Sequence, residues 1–159
     1  MNEGKTEHKG IEIGAGVQPV KEIGMNVSYS YAKHSYAEWK ASTTDYSGKE
    51  MAAAPRQNLN ARLDYTPEFL NGGLMELEWA HLGSYWTNDE NTKKYKGYDL
   101  LNVRASYNMA KQWELYAKVL NLTDRAYADR VSKSGASETL YAPGQPQTFF
   151  AGVVYNWGK

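Results

Sequence analysis

Polar and apolar residues alternate one by one through segment after segment of this chain. A period of two excludes helices, whose faces recur every 3.6 residues, and demands strands with one apolar side. Seven segments carry it. Ile11, Ile13, Ala15 and Val17 alternate with Glu12, Gly14, Gly16 and Gln18, and Ile23, Met25, Val27, Tyr29 and Tyr31 with Gly24, Asn26, Ser28 and Ser30. The third sets Leu59, Ala61, Leu63 and Tyr65 against Asn58, Asn60, Arg62 and Asp64; the fourth sets Met75, Leu77 and Trp79 against Glu76 and Glu78. The fifth sets Leu101, Val103, Ala105 and Tyr107 against Asn102, Arg104, Ser106 and Asn108. In the sixth, Trp113, Leu115, Ala117 and Val119 face away from Glu114, Tyr116 and Lys118. The seventh runs Phe149, Ala151, Val153, Tyr155 and Trp157 against Phe150, Gly152, Val154 and Asn156. The segments have the length of tilted strands that cross a bilayer in about 9 to 11 residues.

The connections alternate as well. They are short at Pro19–Glu22, Pro67–Gly73 and Ala110–Gln112, and long and polar at Ala37–Arg56, Thr87–Gly97 and Asp124–Pro146. Transmembrane barrels pair short periplasmic turns with longer extracellular loops, so a last strand ending in the periplasm puts every turn inside and every loop outside. Tyr65, Tyr107, Trp113, Tyr155 and Trp157 then gather at the periplasmic ends of the apolar face as an aromatic girdle. A soluble β-sandwich also alternates, but it spreads its rings through a two-layer core. The expectation is an all-β, antiparallel transmembrane barrel. Bacterial single-chain barrels usually have an even number of strands, and an open seven-stranded sheet leaves two unpaired edges in lipid. Further strands are therefore expected before residue 1.

Composition agrees. Of the aromatic residues 13 are Tyr and 5 Trp against 3 Phe, so most rings carry a polar handle suited to a membrane boundary. The mean hydropathy of -0.69 argues against membrane helices only, because a barrel strand shows lipid just alternate residues. Lys plus Arg and Asp plus Glu both total 18, and no basic stripe is concentrated enough to follow a phosphate backbone, which argues against a nucleic-acid partner. Without cysteine there are no disulfides or thiolate sites. Met1–Gly10 is polar and lacks the apolar core of a signal peptide, so an exported protein would carry one upstream.

Particular motifs also resemble a family. Gly97-Tyr98-Asp99-Leu100-Leu101-Asn102-Val103-Arg104, the Trp113-led strand and Asn121-Leu122-Thr123-Asp124 are similar to the C-terminal strands of TonB-dependent receptors. Ala54-Pro55-Arg56-Gln57 resembles that family's Ala-Pro-Arg core, and Tyr141-Ala142-Pro143-Gly144-Gln145-Pro146 its approach to the last strand. The ending, with Gly152, Tyr155 and Trp157, resembles the signal read by the barrel-assembly machinery, although Gly158 and Lys159 follow the last aromatic residue. The resemblance covers about Lys9 to Trp157. It implies that residues 1–159 are the C-terminal seven strands of a 22-stranded, plugged barrel in the outer membrane of a Gram-negative bacterium. It further implies uptake of a ferric siderophore or similar scarce nutrient with energy from the TonB complex. Neither a plug nor a TonB box is present in these residues.

No catalytic constellation emerges. Glu76 and Glu78 share a face, as lumen-lining neighbours on one strand do. His8, His34 and His81 show no metal-ligand spacing. The Asn121-Leu122-Thr123 sequon is incidental in a bacterial protein. No cofactor or metal is expected. Ligand-binding candidates are confined to the loop aromatics Trp39, Tyr46, Trp86, Tyr95 and Tyr141, which serve equally to pack loops together. A passive outer-membrane barrel is the alternative reading, and a soluble all-β binding module a third.

Overall fold

The structure is a computed structural model and describes residues 4–110, 112–134 and 138–157. Thirteen strands follow one another: β1 (Lys5–Val20), β2 (Ile23–Glu38), β3 (Lys40–Ala41), β4 (Thr44–Asp45), β5 (Gln57–Tyr65), β6 (Gly73–Leu82), β7 (Tyr85–Trp86), β8 (Lys94–Tyr95), β9 (Tyr98–Ala110), β10 (Trp113–Leu120), β11 (Ala128–Ser134), β12 (Glu138–Pro143) and β13 (Thr148–Tyr155). Seven of them form one antiparallel sheet in the order β1-β2-β5-β6-β9-β10-β13. These seven are the alternating segments of the sequence, and each pairs with its neighbour along the chain. The other six make three two-stranded hairpins, one in each long loop.

Register carries the alternation across the whole sheet. Val27 lies opposite Ala15 and Ala61, Leu77 opposite Leu63 and Val103, and Ala117 opposite Ala105 and Ala151, so every strand turns its apolar residues to the same face. A one-residue slip anywhere would reverse this match. The apolar face has no second layer over it: Ile13 is 54% exposed, Leu77 41% and Val153 58%. Among the described residues the buried apolar core is a single cluster of Tyr85, Ala128 and Val131, up in the loops. A sandwich would bury its inner faces between two sheets; this sheet leaves that face for lipid.

Rings mark both edges of the apolar band. Trp113 and Tyr155 pack at 4.7 Å between centroids, and Trp157 stands edge-on to Tyr155 at 5.0 Å, beside the short turns. Tyr29, Tyr31 and Trp79 share the outward face toward the loop end. Eight residues separate Ile23 from Tyr31, about 26 Å of strand, which suits an apolar band of roughly 25 Å. Two boundaries differ from expectation. β13 ends at Tyr155, so Trp157 lies beyond the ladder, 87% exposed. β1 and β2 each run for 16 residues, because their pairing continues past the apolar band as far as Lys5 and Glu38.

Candidate functional site: the lumen wall and the loops above it

The face opposite the lipid band is polar, and its charges are cross-strand neighbours by register. Arg62 reaches Asp64 on its own strand at 3.0 Å and Glu76 on β6 at 3.8 Å. Glu76 also meets Arg104 of β9 at 3.6 Å, and Arg104 reaches Glu114 of β10 at 3.4 Å. Glu78 accepts hydrogen bonds from the side-chain amides of Asn60 and of Asn102, the latter at 2.9 Å. Glu76, Glu78, Arg62, Arg104, Asn102 and Lys118 line one recess on this wall. Every carboxylate in the ladder has a cationic or amide partner, so the row binds strands together and offers a hydrated surface. It holds no unpartnered acid and base poised for catalysis.

Above the band the first and second loops are stitched into one body. Glu50 is the centre: its carboxylate accepts hydrogen bonds from Nε and Nη2 of Arg56, and Trp86 Nε1–H donates to it at 3.4 Å. Its backbone exchanges two 2.8 Å bonds with the Asn91 side chain. Lys49 Nζ donates to the Glu90 carbonyl at 2.7 Å, Tyr36 Oη–H to Asp89 at 2.7 Å, and the Ala53 amide to the Trp86 carbonyl at 2.8 Å. The Arg56 guanidinium holds the Glu50 carboxyl below the usual carboxylate range, against the opposing effect of burial. The Ala-Pro-Arg motif therefore supplies the cation of this clamp.

The third loop joins through the buried cluster. Val131 N–H donates to the Tyr85 hydroxyl at 3.3 Å, and Tyr95 exchanges bonds with both backbone groups of Ala128, at 2.9 and 3.1 Å. Burial pushes the Tyr85 phenol up. Where β10 ends, Asn121 is 2% exposed with φ of 51°; its side chain bonds the backbone of Arg125 and Gln145, and its amide donates to Asn102 Oδ1. Gly97 opens β9 with φ of 77° where a Cβ would run into the Leu82 carbonyl, and Gly152 lets the Tyr116 ring lie against the backbone of β13.

The five loop aromatics fall in separate places. Trp39 and Tyr46 stack at 4.5 Å in the first loop, with Tyr36 on the other side of Trp39 at 4.4 Å. Trp86 bonds Glu50 and carries Lys94 over its ring at 5.3 Å. Tyr95 belongs to the cluster with Tyr85, 5.3 Å away, and Tyr141 stands 63% exposed on β12. Tyr36, Tyr85 and Asn91, which help organise the loops, carry no sequence signal beyond their polarity, and Glu50 only its place in the family-like stretch Gly48–Gln57. His8 and His34 lie opposite each other across β1 and β2, with their rings tilted and their Nδ1 atoms 2.6 Å apart; linear spacing hides this pair. His81 instead bonds Asp99 at 2.7 Å. Among the described residues no group of three or more His, Asp or Glu is placed to hold a metal ion.

Residues 1–122 match the model of the TonB dependent receptor-like β-barrel family. The chain belongs to the TonB-dependent receptors. Solved structures show the same barrel wall in this receptor family. The unliganded ferric citrate transporter FecA superposes with a TM-score of 0.79 at 22% identity, over 95% of this chain and 24% of that one. The siderophore receptor PiuA from Acinetobacter baumannii gives 0.78 at 18% identity, over 96% and 22%. The ferric yersiniabactin uptake receptor FyuA from Yersinia pestis gives 0.75 at 16% identity, over 94% and 23%. The chain thus spans about a quarter of the length of these receptors. Its place is the outer membrane of a Gram-negative bacterium, where the apolar band meets lipid and the charged ladder faces the barrel interior.

Proposed function

We propose that residues 1–159 are the C-terminal wall of a 22-stranded TonB-dependent receptor that imports a ferric siderophore or similar scarce metal-bearing nutrient. The wall and its loops serve capture; they carry no catalysis. The supporting observation is the stitching of loops one and two through Glu50, Arg56, Asn91 and Asp89, which gives the extracellular mouth a rigid rim. A passive pore has no need of such a platform, whereas a receptor that must grip a bulky solute gains affinity from a preorganised surface. Trp39, Tyr46, Trp86, Tyr95 and Tyr141 remain the loop aromatics proposed to meet that solute. Capture by the loops and a plug is followed by plug rearrangement driven through TonB, with Gly152, Tyr155 and Trp157 serving the barrel-assembly machinery beforehand.

The test is uptake of iron-55 chelates by iron-starved cells that carry or lack the receptor, each with and without TonB. Receptor-dependent uptake that vanishes without TonB is the expected result. Solute entry that persists without TonB and rises linearly with concentration would establish the passive barrel instead.

A further inference from the structure

His8 and His34 stand 26 residues apart in sequence, yet the β1–β2 register sets them directly opposite one another. The His34 carbonyl accepts the Met51 amide at 2.9 Å on the side away from β1. His34 therefore turns its backbone polar groups away from β1, and the two histidines form a non-hydrogen-bonded pair, the kind that brings side chains closest. Their rings lie 4.9 Å apart between centroids. By parity with Glu12 and Ser30, both imidazoles sit on the lumen face, beyond the apolar band toward the extracellular mouth. On that face the pair is flanked by Gly10 and Ala32, both small, and on the other side by Thr6 and Tyr36; His8 is exposed and His34 partly so.

We propose that His8 and His34 bind a divalent ion of the copper, nickel and zinc class at the outer mouth of the lumen. Imidazole nitrogen suits these metals and not magnesium or calcium. Metal–imidazole bonds of about 2.0–2.1 Å place two ligand nitrogens roughly 3 Å apart, so rings whose Nδ1 atoms are 2.6 Å apart need to separate only slightly. Thr6 Oγ1 lies 3.1 Å from His8 Nε2; in the Nε2–H tautomer, the one that binds metal through Nδ1, it accepts that hydrogen and fixes the ring as outer partners of metal-bound histidines do. With His34 in its Nε2–H tautomer both Nδ1 lone pairs face the ion, and the two neutral rings bind it without losing a proton. Two protein ligands leave the other coordination positions to water or to donor atoms of an arriving solute. Copper(II), which stands highest in the affinity order of these ions, is the probe. The site does not depend on which nutrient the receptor imports.

The experiment uses the whole receptor, without a histidine tag, in detergent and stripped of metal. Copper(II) is titrated at neutral pH with calorimetry and electron paramagnetic resonance. The expected result is one copper with two imidazole nitrogens in its hyperfine pattern, which the H8A/H34A double variant does not take up. Each single variant should weaken it by about tenfold or more. H81A, whose histidine is engaged with Asp99, should bind as wild type does. Migration on unheated gels shows whether each barrel is intact, and H8Q with H34Q replaces any alanine variant that is not. The same copper affinity and spectrum in a folded double variant overturns the proposal, as does a wild-type receptor that takes up no copper with a two-imidazole signature.

Discussion

Single residues decide how the loops leave the sheet. Asn121 combines a left-handed backbone with side-chain bonds to the carbonyls of nearby Arg125 and distant Gln145, a demand that few residues meet. Asn121→Ala should destabilise the third loop by about 2–4 kcal/mol, from lost buried hydrogen bonds and backbone strain together. Asn121→Gly should cost less because it keeps the φ angle; hydrogen exchange at Arg125 and Gln147 distinguishes the two. Glu50 gives the rim a pH response. Its carboxyl sits lower in the folded protein than its ordinary 4.5, chiefly through the Arg56 hydrogen bonds, so its contribution is complete above that pH and is lost as pH falls through the lowered value. Exchange protection at the Glu50 and Ala53 amides should therefore fall in that acidic range in wild type and be already low at neutral pH in Glu50→Gln. In the sequence Asn121, Arg56 and Glu50 stand in stretches that resemble family motifs, whereas Asn91 does not, and the motif does not give Glu50 its role. Nothing about an isolated Glu or Asn says which loop it will meet.

At the scale of strands the period of two was enough, since the apolar sets pair with one another on one face, apart from the bulge at Trp113 and Trp157 beyond the ladder. It also assigns opposite environments to adjacent residues, and that is testable at Val27 and Ser28. Val27→Lys puts an ammonium into hydrocarbon and should cost about 2–4 kcal/mol near the bilayer middle, whereas Ser28→Lys reaches the polar lumen and should cost far less. Equilibrium unfolding from detergent micelles or liposomes measures both; equal costs would contradict the assigned faces. The three loop hairpins escaped the pattern. Lys40–Ala41 with Thr44–Asp45, and Tyr85–Trp86 with Lys94–Tyr95, are two-residue ladders, too short to show alternation. β11 and β12 are longer, but the buried apolar contacts of β11 come from Ala128 and Val131, whose spacing of three does not read as alternation.

Across the whole molecule the unmet hydrogen-bonding capacity lies at the margins of the sheet, on β1 and β13, which pair with β2 and β10 on one side only among the described residues. Residues 1–159 produced alone and refolded in detergent should therefore associate edge to edge, and light scattering should show masses above the 17.9 kDa monomer. A monodisperse monomer would mean that the margins close by themselves. The architecture was legible in the sequence because lipid imposes one rule on every spanning strand. The loop assembly was not, because water imposes no such rule and contacts there are set by tertiary geometry. β1 and β2 run about 50 Å, roughly twice the length of β10 and β13. The backbone ladder therefore continues past the apolar band at β1 and β2, with the paired histidines on the polar side of that extension, whereas above β10 and β13 the loop hairpin β11–β12 takes its place.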